Sequence, residues 1–401
     1  MGKFLGAQEL ILIRTFRRRL RWILARTDDF EFFRAIWVLV NSDRPEFSCP
    51  DGYDFPKCLL VGSPRNEPKI FSWEIETLSI EMLSTPKSKH GTNKNPRNWS
   101  YFAVLINLIR RIDDLESVRL NGGSIFARLA NIAHRQFLWQ SAPINEQDLI
   151  MWHTIFSSPD LRDLFVERCG ISPDLFMSIS SSLSIYFQEN SIVSEFLFNT
   201  GGREGEADIS SNLLRLLSQE LVRSSEETTI SDSAIYRQSP FRERPVLHFR
   251  RGERSFYICP IPLLLFWRAT RGMYYDVIQD IRAPNYIGKA FEGYVKLLLS
   301  EVCGEDKVIS ERRYQIKKGV NLATPDVMTL NGAILDLVIE CKSTKIPLSG
   351  KILPTIGPEF SRAIEEIAKG VFQIIRFIDH VTSGIIEGLS IDHNTIFIVL
   401  T

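Results

Sequence analysis

Residues 325–342 read PDVMTLNGAILDLVIECK. Two apolar runs, Val327 to Leu330 and Ala333 to Ile339, flank Asn331-Gly332, a dipeptide that marks a tight hairpin turn. The segment reads as a β-hairpin, with Pro325-Asp326 opening one strand and Glu340-Cys341-Lys342 closing the next. Side chains alternate along a strand, so Glu340 and Lys342 share a face and Cys341 turns away. Register then decides what Asp326 can meet. A plain two-residue loop at Asn331-Gly332 pairs Leu330 with Ala333 and Asp326 with Leu337, on the face opposite to Glu340. A three-residue loop or a single bulge pairs Asp326 with Val338 instead, diagonal to Glu340 at a Cβ separation of about 7–8 Å. An irregular turn or bulge between residues 326 and 340 is therefore expected. Asp336 shares the Glu340 face but lies about 13 Å back along the strand, outside the immediate neighbourhood.

Working outward, residues 286–302 carry an apolar stripe at Ile287, Ala290, Phe291, Tyr294, Val295, Leu298, Leu299 and Val302, the spacing of a helix. Strands are expected at 307–314, 324–330 and 333–342, a Pro and Gly linker at 347–358, a helix at 359–380 and a strand at 395–400. The helix at 359–380 is marked by Phe360, Ile364, Ile367, Val371, Ile374, Ile375 and Ile378. The order is αβββαβ. Glu292, in GKAFEGYV, and Gln373, in GVFQIIRF, stand beside their helices' apolar stripes rather than within them.

Together these residues resemble the PD-(D/E)XK nuclease superfamily, and the resemblance covers the last third of the chain. It implies a restriction-endonuclease-like, three-layer αβββαβ core at 285–401 that hydrolyses DNA phosphodiesters with Mg²⁺, Mn²⁺ substituting. Asp326 and Glu340 would hold the metal, with the backbone carbonyl of Cys341 as a further ligand and Glu292 acting through water or a second metal. Lys342 would orient and activate the attacking water, and Gln373 would orient that water or contact a phosphate; a buried Gln bonded to backbone is an equal alternative. The chemistry suits these residue types: in-line hydrolysis needs a hydroxide-like nucleophile and cations against the growing phosphoryl charge, and Mg²⁺ takes hard oxygen ligands. A second Pro-Asp, at 50–51, is followed at similar spacing by Glu67-Pro68-Lys69. That copy fails on context, because Pro68 removes a strand N–H where the site needs one.

The remaining chain looks different. From residue 7 to about 240 apolar residues recur three and four apart, as at Ile106, Ile109 and Ile112, which predicts an all-α accessory domain over 1–240. The Ser, Thr and acid-rich stretch 223–240 is the best boundary. A hairpin and helix over 241–284 are read as a connector packed on the nuclease core, so the fold class is α+β. The chain has 401 residues, with 48 Lys plus Arg against 48 Asp plus Glu, which excludes a disordered or uniformly cationic protein. Charge is nevertheless uneven, since residues 1–26 hold seven basic side chains against Glu9 alone. Arg17, Arg18, Arg19 and Arg21 in that run, and Arg312, Arg313, Lys317 and Lys318 before the hairpin, are candidates for nucleic-acid contact, with solvated helix or strand faces as the plain alternative.

Six scattered cysteines without a C-x-x-C pair, and no apolar run long enough to span a bilayer, predict a cytoplasmic protein without a membrane partner. No G-x-x-x-x-G-K-[ST] is present, so a motor or sensor, if used, would be a partner docked on the helical domain. Restriction or anti-phage defence is the expected role, by analogy with the superfamily. The competing expectations are a non-catalytic nucleic-acid-binding or scaffold subunit that kept the fold, and an RNase, which would use the same residues.

Overall fold

The computed structural model describes residues 2–42, 44, 46–56, 70–88, 91, 93–120, 139, 145–194, 206–220, 239–317, 319–343 and 358–401. The boundary segment up to residue 238, the linker up to residue 357, Glu67 to Lys69 and Lys318 lie outside the described residues.

The chain begins with helices α1 (Gly2–Leu24), α2 (Asp29–Asn41), α3 (Ser72–Ser84), α4 (Trp99–Leu120), α5 (Glu146–Phe156), α6 (Pro159–Cys169) and α7 (Pro173–Glu189). Cap chemistry sets several starts. The side chains of Asp28, Asn145 and Ser172 accept from the N–H groups of Glu31, Gln147 and Leu175, and Pro159 and Pro173 occupy first turns where no N–H is needed. Two apolar cores result. One joins Leu20 and Leu24 of α1 to Phe32, Phe33 and Phe102; the other joins Trp152, Phe156, Phe165 and Phe176.

This half is not purely helical. Strand β1 (Val193–Ser194), helix α8 (Glu206–Leu217) and strand β2 (Ser218–Glu220) precede the short helix α9 (Pro240–Glu243) and the hairpin β3 (Val246–Arg251) and β4 (Arg254–Ile258). The four strands form a sheet in the order β1-β4-β3-β2, so the expected all-α domain is corrected: pieces as short as Val193–Ser194 carry too little periodicity to be read as strands. Helices α10 (Pro262–Ala269) and α11 (Met273–Val277) follow. Residues 241–284 are built into both helical cores, through Phe241, Leu247, Ile258 and Leu264 in the first and Tyr257, Cys259 and Ala283 in the second. They also meet the next helix, α12 (Ala283–Cys303), whose Ile287 is buried in the second core.

After α12 come β5 (Val308–Ser310), β6 (Arg313–Lys317), β7 (Val320–Ala323), β8 (Val327–Asn331), β9 (Ile334–Cys341), α13 (Pro358–Thr382) and β10 (Ile396–Leu400). The main sheet runs β10-β9-β8-β5; β8 is antiparallel to both neighbours and β10 is parallel to β9. A parallel neighbour requires a long crossover, and α13 lies within it. Helix α12 covers one sheet face, where Val295 meets Val308, Val327, Ile339 and Cys341. Helix α13 covers the other, where Phe377 and Val381 meet Ile309, Met328, Leu335 and Val338.

The hairpin has the expected irregularity. Val327 pairs with Ile339 and Thr329 with Leu337, then the register shifts so that Leu330 pairs with Leu335 and Asn331 with Ile334. Asp336 is the extra residue. The turn sits one residue later than expected, at Gly332-Ala333, where Gly332 takes the left-handed φ of 66°. One rung beyond Val327, Asp326 therefore stands opposite Glu340 and not opposite Val338. The strand expected at 307–314 is also corrected: β5 stops at Ser310, and residues 313–323 form a separate two-stranded ribbon of β6 and β7. Both long helices bury less of their stripes than expected, leaving Leu298, Val302, Ile364, Val371 and Ile375 exposed. On α13 the buried line is Ala363, Ile374, Phe377 and Val381, because its apolar arc is wider than the sheet face it covers.

Candidate active site

Three neighbouring strands bring a row of carboxylates together at one end of the main sheet. The Glu311 amide donates to the Asp326 carbonyl at 2.9 Å, which extends the β5–β8 ladder by one rung and places Glu311 opposite Asp326. Asp326 in turn stands opposite Glu340. Directly opposed residues project to the same side, so Glu311, Asp326 and Glu340 form a line across the α13 face of the sheet. Asp326 Oδ2 accepts from the Cys341 amide at 2.6 Å, which fixes the carboxylate against the next strand.

Lys342 completes the line. Its backbone N–H donates to the Leu400 carbonyl at 2.8 Å, anchoring it to β10. Its Nζ lies 2.7 Å from Glu340 Oε1 and 2.9 Å from Gln373 Oε1 of α13. Helix α13 approaches closely at Gly370, where a Cβ would lie 3.1 Å from Val399 Cγ1, 3.2 Å from Lys342 Cε and 3.4 Å from Glu340 Cγ. On the opposite side α12 passes the end of β9, with Gly288 facing Ser343, and carries Glu292 one turn further on.

Glu340 is 1% exposed, and its Oε2 is buried without a hydrogen-bond partner among the described residues. Leaving such an oxygen unmatched costs about 1–3 kcal/mol, more when it is charged. Burial raises the Glu340 carboxyl above its ordinary value; the Lys342 hydrogen bond opposes this and the Asp326 charge adds to it. Burial likewise raises Asp326, against the Cys341 amide and Lys342. Glu292, half-buried, is pushed up to about 7, first by burial and then by the charges of Asp326, Glu311 and Glu340. Among the described residues four acids thus share one end of the sheet with the ammonium of Lys342, an excess of negative charge that suits a cation.

Among the described residues no three His, Cys, Asp or Glu side chains form a ready cage. Mg²⁺ is commonly held by only one or two carboxylates plus water and substrate phosphates, so Asp326 and the unmatched Glu340 Oε2 meet its demand for hard oxygen donors. Cys341 contributes no thiol chemistry, because its buried side chain joins the α12 face and burial pushes the thiol up to about 12.

The structure therefore brings Glu292, Asp326, Glu340, Lys342 and Gln373 to one place. It adds Glu311, which the sequence reading missed because a continuous strand over 307–314 hides its rung opposite Asp326. Arg312, Arg313 and Lys317 are exposed on or beside the β6–β7 ribbon. In α1, Arg18 and Arg19 are exposed, whereas Arg17 is buried against Glu116 and Arg21 is half-buried with Glu81 at 3.5 Å. Arg17 is thus a core ion pair and is withdrawn as a nucleic-acid contact. Among the described residues no helix is long and apolar enough to cross a membrane. No family model, curated protein or solved structure matches this chain.

Proposed function

We propose that the chain is a metal-dependent nuclease that hydrolyses DNA phosphodiester bonds, built on a PD-(D/E)XK-like, restriction-endonuclease-like core at residues 285–401. The observation that carries this reading is Glu340: a carboxylate sealed in the fold, one oxygen bonded to Lys342 and the other unmatched, in a row with Asp326. A scaffold has no need of such a residue. Asp326, Glu340 and the Cys341 carbonyl would hold Mg²⁺ or Mn²⁺, with Glu292 and Glu311 acting through water. Bound there, the metal would supply Lewis-acid charge stabilisation and a lowered pKa for water.

The chain's own groups do the rest. An ammonium has three N–H donors, and Glu340 and Gln373 engage two of those on Lys342. Among the described residues the third has no partner, which leaves it for an attacking water or a phosphoryl oxygen, where a fixed positive charge stabilises the negative charge of the transition state. Gln373 accepts through its oxygen, so it holds Lys342 in place while its amide nitrogen remains a donor toward phosphate. The preceding helical part, in this reading, selects the substrate or receives a partner. The proposed setting is restriction or anti-phage defence, for which loss of phage protection in a Glu340→Ala strain is the expected result.

The direct test is cleavage of supercoiled plasmid, linear duplex, single-stranded DNA and RNA with Mg²⁺, Mn²⁺ or EDTA. Cutting of DNA that needs metal and disappears in both Glu340→Ala and Lys342→Ala is expected. RNA-only cutting would move the protein to the RNases. No cutting, together with no Mg²⁺ binding by calorimetry, would make it a non-catalytic subunit.

A further inference from the structure

Between Glu311 and Asp326, two neighbours in the carboxylate row, the chain leaves the main sheet and returns as the β6–β7 ribbon. Its base is closed by Arg312 and Thr324: the Thr324 N–H donates to the Arg312 carbonyl at 2.9 Å, and the Arg312 N–H donates to Thr324 Oγ1 at 2.9 Å. One side is anchored. Tyr314 is packed against the core below α13, and its hydroxyl lies 2.8 Å from His380 Nδ1. Leu322, opposite Tyr314, is half-buried as well. The other side is open and polar. Gln315 stands opposite Asn321, with Arg313 diagonal to Asn321, and all three side chains are exposed with no hydrogen bond or ion pair among the described residues.

We propose that this ribbon is a base-reading arm that enters the major groove of duplex DNA beside the carboxylate row. The choice of a nucleic acid as occupant rests on the nuclease reading; the choice of duplex DNA rests on the ribbon. Residues 312–325 contain Arg312, Arg313, Lys317 and Lys318 and no acid, which complements a polyphosphate. Arg376, on the α13 turn after Gln373, lies beside Tyr314 and extends that positive surface toward the site. Arg, Gln and Asn are the side chains whose paired polar atoms match guanine and adenine edges, and the B-form major groove admits a two-stranded β-ribbon. The A-form groove of duplex RNA is too narrow and deep for it. The register shift between Gln315 and Lys317 adds the local twist that lets a short ribbon follow a curved groove. A strand pair that only shielded a sheet edge would require none of these matches.

The test is fluorescence anisotropy of the full chain in EDTA, so that binding is read without cutting, on labelled duplex DNA, single-stranded DNA and duplex RNA. Duplex DNA should bind about tenfold or more tightly than either alternative. Arg312→Ala with Arg313→Ala should weaken duplex binding about tenfold and flatten its salt dependence by about one to two in log–log slope. Gln315→Ala with Asn321→Ala should leave affinity for pooled random duplex nearly unchanged and erase the sequence preference recovered by selection from that pool. The charge-retaining Arg313→Lys should do the same, which guards against a misfolded alanine variant. Equal binding by wild type and the Arg312→Ala, Arg313→Ala double variant, an unchanged sequence preference in the Gln315→Ala, Asn321→Ala variant, a preference for RNA or single strands, or no duplex binding overturns the arm. Ribbon-dependent duplex binding without metal-dependent cleavage overturns the nuclease and leaves the arm standing.

Discussion

The Glu311 amide donates to the Asp326 carbonyl at 2.9 Å, and this one hydrogen bond sets two carboxylates side by side on the sheet face that also carries Glu340. The Glu311 charge acts on Asp326, Glu340 and Glu292 alike. Glu311→Ala is therefore expected to raise the Mg²⁺ concentration giving half-maximal cleavage about three- to tenfold, with little change in melting temperature. That magnitude corresponds to about 0.7–1.4 kcal/mol, the range of one partly solvated charge interaction. An unchanged metal profile would make Glu311 a bystander at the strand end.

The same crowding of acids should cost stability when no metal is present. Burial raises both Asp326 and Glu340, which means that the fold disfavours their ionised forms at neutral pH. In EDTA at pH 7, Glu340→Gln is expected to be more stable than wild type by about 1 kcal/mol, since it keeps an acceptor for Lys342 and removes a charge. Mg²⁺ should then raise the melting temperature of wild type and leave that of Glu340→Gln unchanged. A lower melting temperature for Glu340→Gln in EDTA would show that the carboxylate is structural.

Glu292 gives a pH signature. Its carboxyl is raised from 4.5 to about 7 in the fold. Below pH 4.5 the folded and unfolded chains both hold this proton, and it contributes nothing. Between 4.5 and 7 the folded chain retains a proton that the unfolded chain has lost, so stability falls as pH rises, and the full loss is present above 7. After discounting for solvent at this half-buried position, the loss is about 1–2 kcal/mol. Denaturant titrations in EDTA at pH 5, 6, 7 and 8 should show this decline in wild type and a flatter profile in Glu292→Gln.

Much of this site was legible from residues 325–342, because period-two alternation and a turn dipeptide fix faces, and the face argument alone demanded an irregularity between Asp326 and Glu340. The location of that irregularity was not legible. Inserting Asp336 or lengthening the turn restores the same face, and only packing of Leu335 and Val338 under α13 selects the bulge. Glu311 and the β6–β7 ribbon were hidden for a related reason: residues 307–314 read as one strand, whereas the backbone leaves the main sheet after Ser310. The exposed Leu298 and Ile375 show the opposite failure, since an apolar stripe states what a helix could bury and not how wide its neighbour is.

Arg17 illustrates how a charge run conceals its members' different jobs. In the sequence it is one of three consecutive arginines; in the fold it is buried against Glu116 of α4, while Arg18 and Arg19 face solvent. Arg17→Ala would remove a buried charge partner of the Glu116 carboxylate and should destabilise the protein by about 3–5 kcal/mol. Arg18→Ala and Arg19→Ala should each stay within about 0.5 kcal/mol of wild type. Urea unfolding of the three variants checks the contrast, and similar midpoints would place Arg17 outside the core.

At Gly370 α13 passes close to the carboxylate end of the sheet, and the missing Cβ leaves room for Lys342 Cε and Val399 Cγ1. Alanine there would gain helix propensity of about 1 kcal/mol. It would also press on the Lys342 stem at 3.2 Å and on Val399 at 3.1 Å, so the neighbours must yield by a few tenths of an ångström. Val399 belongs to a paired strand, whereas the Lys342 side chain is held, among the described residues, by Glu340 and Gln373. The lysine should give way first. Gly370→Ala is thus expected to keep a melting temperature near that of wild type while cleavage slows about tenfold at saturating Mg²⁺, since a misplaced ammonium is felt in the transition state more than in substrate binding. Gly370→Val cannot be accommodated in this way and should lower stability by about 1–3 kcal/mol. A Gly370→Ala variant with full kcat and a raised KM would mean that α13 shifts as a body and that Lys342 keeps its place.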